Sequence, residues 1–536
     1  MSEPQAAPRN PAGGLLKSTS LVSFMTLLSR ILGLVRDIVF ARFFGAGMVM
    51  DAFFVAFKIP NIFRRFFAEG AFSQAFVPVF AEYDEAGNPA QVRELVDRVA
   101  GTLGFVLFGF TAIGVLAAPL LIAVFAPGFI GNEDGGRYDL AVDMLRLTFP
   151  YLLFISLTAL AGAILNTYKN FGVPAFAPVL LNVVLIGFAA GLAPGAERPG
   201  IVLAAGVFVA GAVQLVFMLP FLLRIRLLPR PRWGWQHPGV RRVLILMAPV
   251  IFGASVAQIN ILFDTLIASF LATGSISWLY YSDRLMEFPL GVFGIALATV
   301  ILPNLSRQHA SATPAAFSAT LDWALRLVVL IALPSAVGLA VLSGPILTTI
   351  FAGGAFGSAD ISMASLSLIA YALGLPGFIL VKVLAPGYFA RQDTRTPVRV
   401  GVIALVVNMV LNVLIVVPWV SADLPGPHAG LALATALSAF LNAFLLWRGL
   451  RRDGVLKVRS GWGRLLLQVV VAAAVMGMLL DYFSPPLVQW LEAGGWTRAG
   501  WLTLTVLGGF AVYGATLLAA GLRPDALRMK SSESSL

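Results

Sequence analysis

Apolar runs of roughly 20 residues, the length a helix needs to cross a bilayer, recur along the whole chain. Fourteen can be placed, with centres near Leu28, Ile62, Leu107, Phe154, Val183, Phe208, Phe252, Phe293, Leu330, Leu373, Ala404, Ala436, Val471 and Val506. Between them lie short breaks dense in Pro and Gly, such as LAPGAERPG (192–200) and SADLPGPHAG (421–430), which read as turns rather than domains. The pattern predicts an all-α polytopic membrane protein of 14 transmembrane helices, with no soluble domain between them.

Composition agrees with this reading. Of 536 residues, 59% are hydrophobic and 12% charged, and the mean hydropathy is +0.88. A soluble domain runs nearer 45–50% apolar and about 25% charged, so lipid has to serve as the solvent here. The N-terminal stretch MSEPQAAPRNPAGG leads into the first run without a small-residue cleavage site, so that run is expected to be retained.

The net charge of +11 has a membrane explanation too. With the N-terminus inside, the inside loops collect Arg93, Arg98, Lys169, Arg224, Arg226, Arg230, Arg232, Arg241, Arg242, Arg307, Arg391, Arg395, Arg399 and the basic run from Arg448 to Arg464. The outside loops hold little beyond Arg137, Arg198 and Arg498. Positive charge marks cytoplasmic loops, so both termini are expected to be cytoplasmic, and no nucleic-acid partner is needed to explain the basicity. There is no cysteine, which excludes disulfides, thiol catalysis and Cys-ligated metal. His237, His309 and His428 form no ligand-spaced cluster.

The chain also repeats itself. APLLIAVFAPGF pairs with GPILTTIFAGGAF (345 − 119 = 226 between prolines), NTYKNFGVPAF with ARQDTRTPVRV (397 − 174 = 223) and FKIPNIF with LMEFPLGVF (289 − 60 = 229). The shift covers six helices, an even number, so the copies are parallel repeats, as in transporters that work by alternating access. The predicted organisation is an N-lobe over 1–232, a C-lobe over 233–455, and two appended helices with a tail over 456–536. The basic stretch 224–242 is expected to join the lobes.

Ionisable residues inside spans cost about 2.5–3.5 kcal/mol each at the centre and usually face a partner or a wet cavity. They concentrate in helices 1, 2 and 8. In SRILGLVRDIVFARFFG (29–45), Arg30 and Asp37 share a stripe, while Arg36 lies about 120° from Arg30. In helix 2, Asp51, Lys58 and Arg65 fall at seven-residue steps, and Pro60 interrupts the backbone bonding. In SWLYYSDRLMEFPLG (277–291), Ser277 and Arg284 share a stripe, Arg284 and Glu287 are i,i+3 neighbours, and Pro289 matches Pro60. Two roles compete for these charges. Asp37, Asp51, Asp283, Glu69 and Glu287 can pair with the arginines and lock helices together, which is the reading taken for Arg65, Asp283 and Glu287; Arg30, Arg36, Arg64 and Arg284 are read as ligand contacts. Both lobes contribute arginines, and a guanidinium fork suits phosphate or carboxylate. Asp264, alone in NILFDTLIASF (260–270), either binds a coupling Na+ or H+ or pairs with an arginine of helix 1. No P-loop or paired acidic motif for Mg²⁺ is present, so a transporter rather than an enzyme is expected, with no cofactor and no certain metal.

The long motifs SRILGLVRDIVFARFFGAGMVMDAFFVAFKIPNIFRRFFAEGAFSQAFVPVFAEY, SWLYYSDRLMEFPLGVFGIALATVILP and VKVLAPGYFARQDTRTPV closely resemble the MurJ/MviN lipid II flippase family, within the multidrug/oligosaccharidyl-lipid/polysaccharide exporter superfamily. The resemblance covers nearly the whole chain. It implies a 14-helix bacterial inner-membrane protein that moves lipid II, an undecaprenyl-diphosphate-linked disaccharide-pentapeptide, to the periplasmic leaflet. It further implies substrate contact by Arg30, Arg36, Arg64 and Arg284, gate or cavity positions at Asp37, Asp51, Ser277 and Glu287, and a lipid-tail groove on helices 13 and 14. The partners implied are lipid II, membrane lipid and, beyond them, the cell-wall synthesis machinery. A flippase for another polyprenyl-linked glycan, a drug exporter of the same superfamily and a non-transporting cell-wall scaffold are the competing expectations.

Overall fold

The computed structural model describes residues 11–67, 71–131 and 136–522, with side chains at 11–18, 71, 252–257 and 295 left aside. Glu69 and the tail cations Arg523, Arg528 and Lys530 lie outside the described residues. Within them the structure is helical, apart from one isolated bridge between Gly353 and Phe356.

The chain divides into two compact units, Met1–Phe43 with Met48–Gln258, and Phe44–Gly47 with Ile259–Leu536. The first contains α1 (Pro11–Phe44, to Phe43), α2 (Met48–Phe67), α3 (Ala71–Glu85), α4 (Pro89–Leu116) and α5 (Ala118–Phe125). It continues with α6 (Arg137–Thr148), α7 (Tyr151–Thr167), α8 (Gly172–Gly187), α9 (Pro199–Arg224) and the first part of α10 (Pro238–Ser269). The second takes the rest of α10, then α11 (Ser275–Pro289), α12 (Ala296–Ala310), α13 (Pro314–Val341), α14 (Ser343–Phe351) and α15 (Ser358–Phe389). It ends with α16 (Arg395–Ser421), α17 (His428–Arg452), α18 (Trp462–Phe483), α19 (Leu487–Glu492) and α20 (Gly495–Ala519).

Eleven helices or helix pairs among the described residues are long and apolar enough to cross a membrane. The other three expected centres, Leu28, Ile62 and Phe252, fall in α1, α2 and α10. The sequence repeat reappears as a repeat of elements. α4 and α13 each run 28 residues and begin with a proline at the first helical turn, where its missing N–H leaves nothing unsatisfied; 314 − 89 = 225. Pro78 inside α3 matches Pro303 inside α12; 303 − 78 = 225. The matched prolines Pro60 and Pro289 behave differently. α2 stays α-helical through Pro60, whereas beyond Pro289 the chain loosens into a π-helical stretch, Leu290–Ile295. A proline removes one backbone bond, and a π-turn is one way of absorbing the loss.

The first unit is packed around Phe72, Phe76 and Phe80, stacked at 5.3 Å intervals one helical turn apart, against Val96, Leu160, Ile164 and Leu222. The second is packed around Leu321, Val328, Leu375, Val383 and Leu450, with Tyr388 donating to the Leu446 carbonyl at 2.8 Å. α18 and α20 dock on α13 through Val469, Ala472 and Met476 and through the Tyr513 hydroxyl, which donates to the Leu330 carbonyl at 2.7 Å.

The basic stretch after α9 is held by the first unit. Arg230 N–H donates to the Asp97 carboxylate at 2.7 Å, Arg232 N–H to the Asp97 carbonyl at 3.0 Å and Gly234 N–H to the Thr102 hydroxyl at 3.0 Å. The approach is so close that a Cβ on Gly101 would stand 2.2 Å from the Arg232 carbonyl oxygen, so only glycine fits. The repeat limits and the limits of the compact units are therefore different things: the units part inside α10, between Gln258 and Ile259, beyond the basic stretch.

Candidate functional site

In the first unit α1 carries a buried pair of charges between two exposed arginines, Arg30 and Arg42. Arg36 is 8% exposed and Asp37 fully buried. Arg36 donates through Nε (3.0 Å) and Nη2 (2.7 Å) to Asp37 Oδ1 and through Nη1 to Asn182 Oδ1 at 3.1 Å. Asn182, from α8, anchors the fork by donating to the Ser29 carbonyl at 3.0 Å, and the Phe40 ring lies 5.6 Å from the guanidinium. A buried charge survives only when paired and hydrogen-bonded, and this arrangement supplies both. Arg30 is exposed, on a different face from Arg36, as their angular separation predicts. The stripe drawn through Arg30 and Asp37 is not where Asp37 finds its cation; the adjacent guanidinium curls back to it instead.

Along the α2 stripe the environment changes step by step. Asp51 is fully buried, Lys58 half-buried and Arg65 exposed, with Arg64 half-buried beside it. Arg137 Nη1 stands 3.8 Å from Asp51 Oδ2. Arg137 itself is 2% exposed, with its guanidinium 4.4 Å from the Phe129 ring centroid. The charge pattern of the sequence places Arg137 in an outside loop. The one available signal was Asp51 itself, a carboxylate at the start of an apolar helix that needs a cation from somewhere. The other two arginines expected outside are engaged as well. Arg198 donates to Asp143 at 2.7 Å, and Arg498 donates to the Trp490 and Leu491 carbonyls at 2.7 and 2.6 Å, at the C-terminal end of α19, where a cation is favoured.

In the second unit, Arg284 and Glu287 form the expected i,i+3 pair at 3.3 Å, both partly exposed, while Ser277 is fully buried. Asp264, half-buried on α10, is surrounded by amides. Asn412 Nδ2 donates to its Oδ1 at 2.6 Å and Asn260 Nδ2 to its Oδ2 at 3.3 Å. Asn412 also reaches Asn408 Oδ1 at 3.1 Å, and Asn408 reaches the Thr435 hydroxyl at 3.3 Å. The carbonyl oxygens of Asn260 and Asn412 are buried and accept no hydrogen bond. A carboxylate and uncharged oxygens are hard donors, of the kind that suits Na+ better than a transition metal, and Asp264, Asn260 and Asn412 are the residues here that could supply them. Neither asparagine was singled out from the sequence. Finally, α18 and α20 enclose an apolar cavity of about 420 Å³, lined by Met476, Leu480, Phe483, Trp501, Leu504 and Val512.

A family profile described as "Lipid II flippase MurJ" matches residues 40–491. The chain belongs to the MurJ family. It is 50% identical over 516 residues to a "Probable lipid II flippase MurJ" of Vibrio cholerae serotype O1, covering 95% of this chain and 97% of that one. It is 43% identical over 472 residues to a "Lipid II flippase MurJ" of Burkholderia cenocepacia, covering 87% and 90%. A solved MurJ structure in an inward closed conformation superposes with a TM-score of 0.77 at 26% identity, over 95% of this chain and all of that one. An inward-facing multidrug transporter of the MATE family matches at a TM-score of 0.62 and 13% identity, which speaks for the fold alone.

Proposed function

We propose that this protein is a lipid II flippase. It moves the undecaprenyl-diphosphate-linked peptidoglycan precursor from the cytoplasmic to the periplasmic leaflet of a bacterial inner membrane, through 14 spans with both termini cytoplasmic. The observation that carries this reading is the nearly full-length likeness to proteins described as lipid II flippases. The chemistry is consistent with it. The head of lipid II is anionic through its diphosphate and peptide carboxylates, and guanidinium groups lower the cost of taking such a head across hydrocarbon. Arg30, Arg64 and Arg284 are the proposed substrate contacts, with Arg36 held ready by Asp37 and Asn182. Asp51, Ser277 and Glu287 are gate or cavity positions, and the α18/α20 cavity takes part of the polyprenyl tail. Two parallel six-helix repeats suit alternating access, with no bond made or broken in the cargo. Membrane lipid and the cell-wall synthesis machinery are the further partners in this reading.

Coupling by Na+ at Asp264 is part of the proposal, supported by the two buried amide oxygens without donors. The decisive experiment is translocation of lipid II in proteoliposomes under imposed Na+, H+ and voltage gradients, alongside rescue of cells depleted of their own lipid II flippase. Transport in vitro with rescue in vivo is the expected outcome. Failure of both, or transport of another polyprenyl-linked glycan in preference to lipid II, overturns it. Because the chain has no cysteine, single introduced cysteines at either end report the topology by labelling from each side.

A further inference from the structure

A second cavity, of about 420 Å³, lies within the second unit among α13, α15 and α17; its lining shares no residue with the α18/α20 cavity and includes neither Asp264 nor Arg284. Its wall includes Leu325, Val329, Leu384 and Phe440, and Trp447 and Trp462 stand at its rim. The volume falls within the ~300–1,000 Å³ of small-molecule sites. At this end the rim is basic. The Arg326 guanidinium lies 5.3 Å from the Trp462 ring and that of Arg451 4.9 Å from the Trp447 ring. Arg448 is one turn beyond the lining residue Phe444, and Lys457 and Arg459 flank the lining residue Val458.

The rim's own carboxylate is already engaged. Asp322 accepts from Arg326 Nε at 2.8 Å, Trp462 Nε1 at 2.8 Å and Arg459 N–H at 3.3 Å. Among the described residues, Arg448, Arg451, Lys457 and Arg459 form no ion pair with any carboxylate; the neighbouring Asp453 pairs with Arg391 and Arg452 instead. An apolar slot lined by two tryptophans, with Arg451 over one of them and Arg448, Lys457 and Arg459 close in sequence to its lining residues, matches a molecule with an acyl chain at one end and a phosphate at the other.

We propose that this cavity binds an anionic glycerophospholipid, with one acyl chain between α13, α15 and α17 and its phosphate on Arg448, Arg451, Lys457 and Arg459. A neutral lipid would leave the cations without a counter-charge, and a free anion would leave the apolar slot empty. The site holds whether or not the chain flips lipid II, since binding is read without transport.

The test uses the full-length protein, delipidated in neutral detergent, and a fluorescent phosphatidylglycerol as probe. Unlabelled phosphatidylglycerol should displace the probe at least ten-fold better than phosphatidylcholine of the same chains, and inorganic phosphate should not displace it. Arg448→Gln with Arg459→Gln should abolish the preference for phosphatidylglycerol. Ala443→Phe, which fills the cavity from α17, should weaken both lipids, and the charge variant decides alone if that protein does not fold. Equal displacement by the two lipids, an unchanged preference in the charge variant, displacement by phosphate, or displacement by lipid II in preference to phosphatidylglycerol would each overturn the assignment.

Discussion

Asp37 and Asp264 occupy the same place in the two repeats: 264 − 37 = 227, and Gly47 and Gly274 beyond them keep that spacing. An asparagine from a later helix of the same unit stands at each site: Asn182 accepts from Arg36, the cation of Asp37, whereas Asn412 donates to Asp264 itself. Preceding residues separate them. Arg36 stands before Asp37, and Phe263 before Asp264. In the first repeat the guanidinium supplies the counter-charge, and Asn182 turns its carbonyl toward the cation. In the second, no cation precedes the aspartate, and Asn412 and Asn260 turn their amide N–H groups toward it instead. One frame thus places an arginine beside the aspartate in the first copy and amide N–H groups around it in the second, where the proposed Na+ would bind.

This contrast can be broken most severely in the first repeat. Arg36→Met leaves Asp37 buried without its cation, which costs about 3–5 kcal/mol. The double change Arg36→Met with Asp37→Asn should recover most of that loss in thermal unfolding of the purified protein. If the double variant is no more stable than the single one, the pair is not the counter-charge system described here. In the second repeat, Na+ should raise the unfolding temperature. The gain is about 2.7 kcal/mol when the ion is 100-fold above its dissociation constant. Phe263→Arg, which copies the first repeat, should erase the response, as should Asp264→Asn. A response that persists in both variants places the ion elsewhere.

Smaller effects sharpen the roles of the amides. Asn182→Ala removes an acceptor from a buried guanidinium and should cost about 1–3 kcal/mol, with no change in any Na+ response. Asn412→Ala should diminish the Na+ response more than it lowers stability in the absence of the ion. The smallest stability effect is expected at the partly exposed pair, where Arg284→Gln should change unfolding by less than about 1 kcal/mol yet abolish lipid II translocation. Normal translocation in that folded variant would remove Arg284 from the substrate contacts.

The fold was largely legible because membrane helices announce themselves by length and apolarity, and because prolines at matched spacings mark the two copies. The partners of the charges were far less so. Arg30 and Arg36 could be assigned to different faces from helix geometry alone, and the Arg284–Glu287 pair from its spacing. The Asn182–Arg36 and Asn412–Asp264 contacts join residues 146 and 148 positions apart, and an asparagine in an apolar helix gives no sign of what it bonds. Arg137 misled for a related reason. It follows a loop on the side counted as external, and nothing local shows that its side chain turns inward to Asp51. Pro60 and Pro289 look alike in sequence, yet among the described residues only the second is followed by a π-helical stretch.

The three arginines expected on the external side, Arg137, Arg198 and Arg498, are held by an aspartate, another aspartate and a helix end. Most of their attraction is already satisfied within the protein. For a transporter of anionic heads this sets a direction in kinetic terms: a head arriving at that side meets little bare positive charge to detain it, so departure should not be the slow step of the cycle.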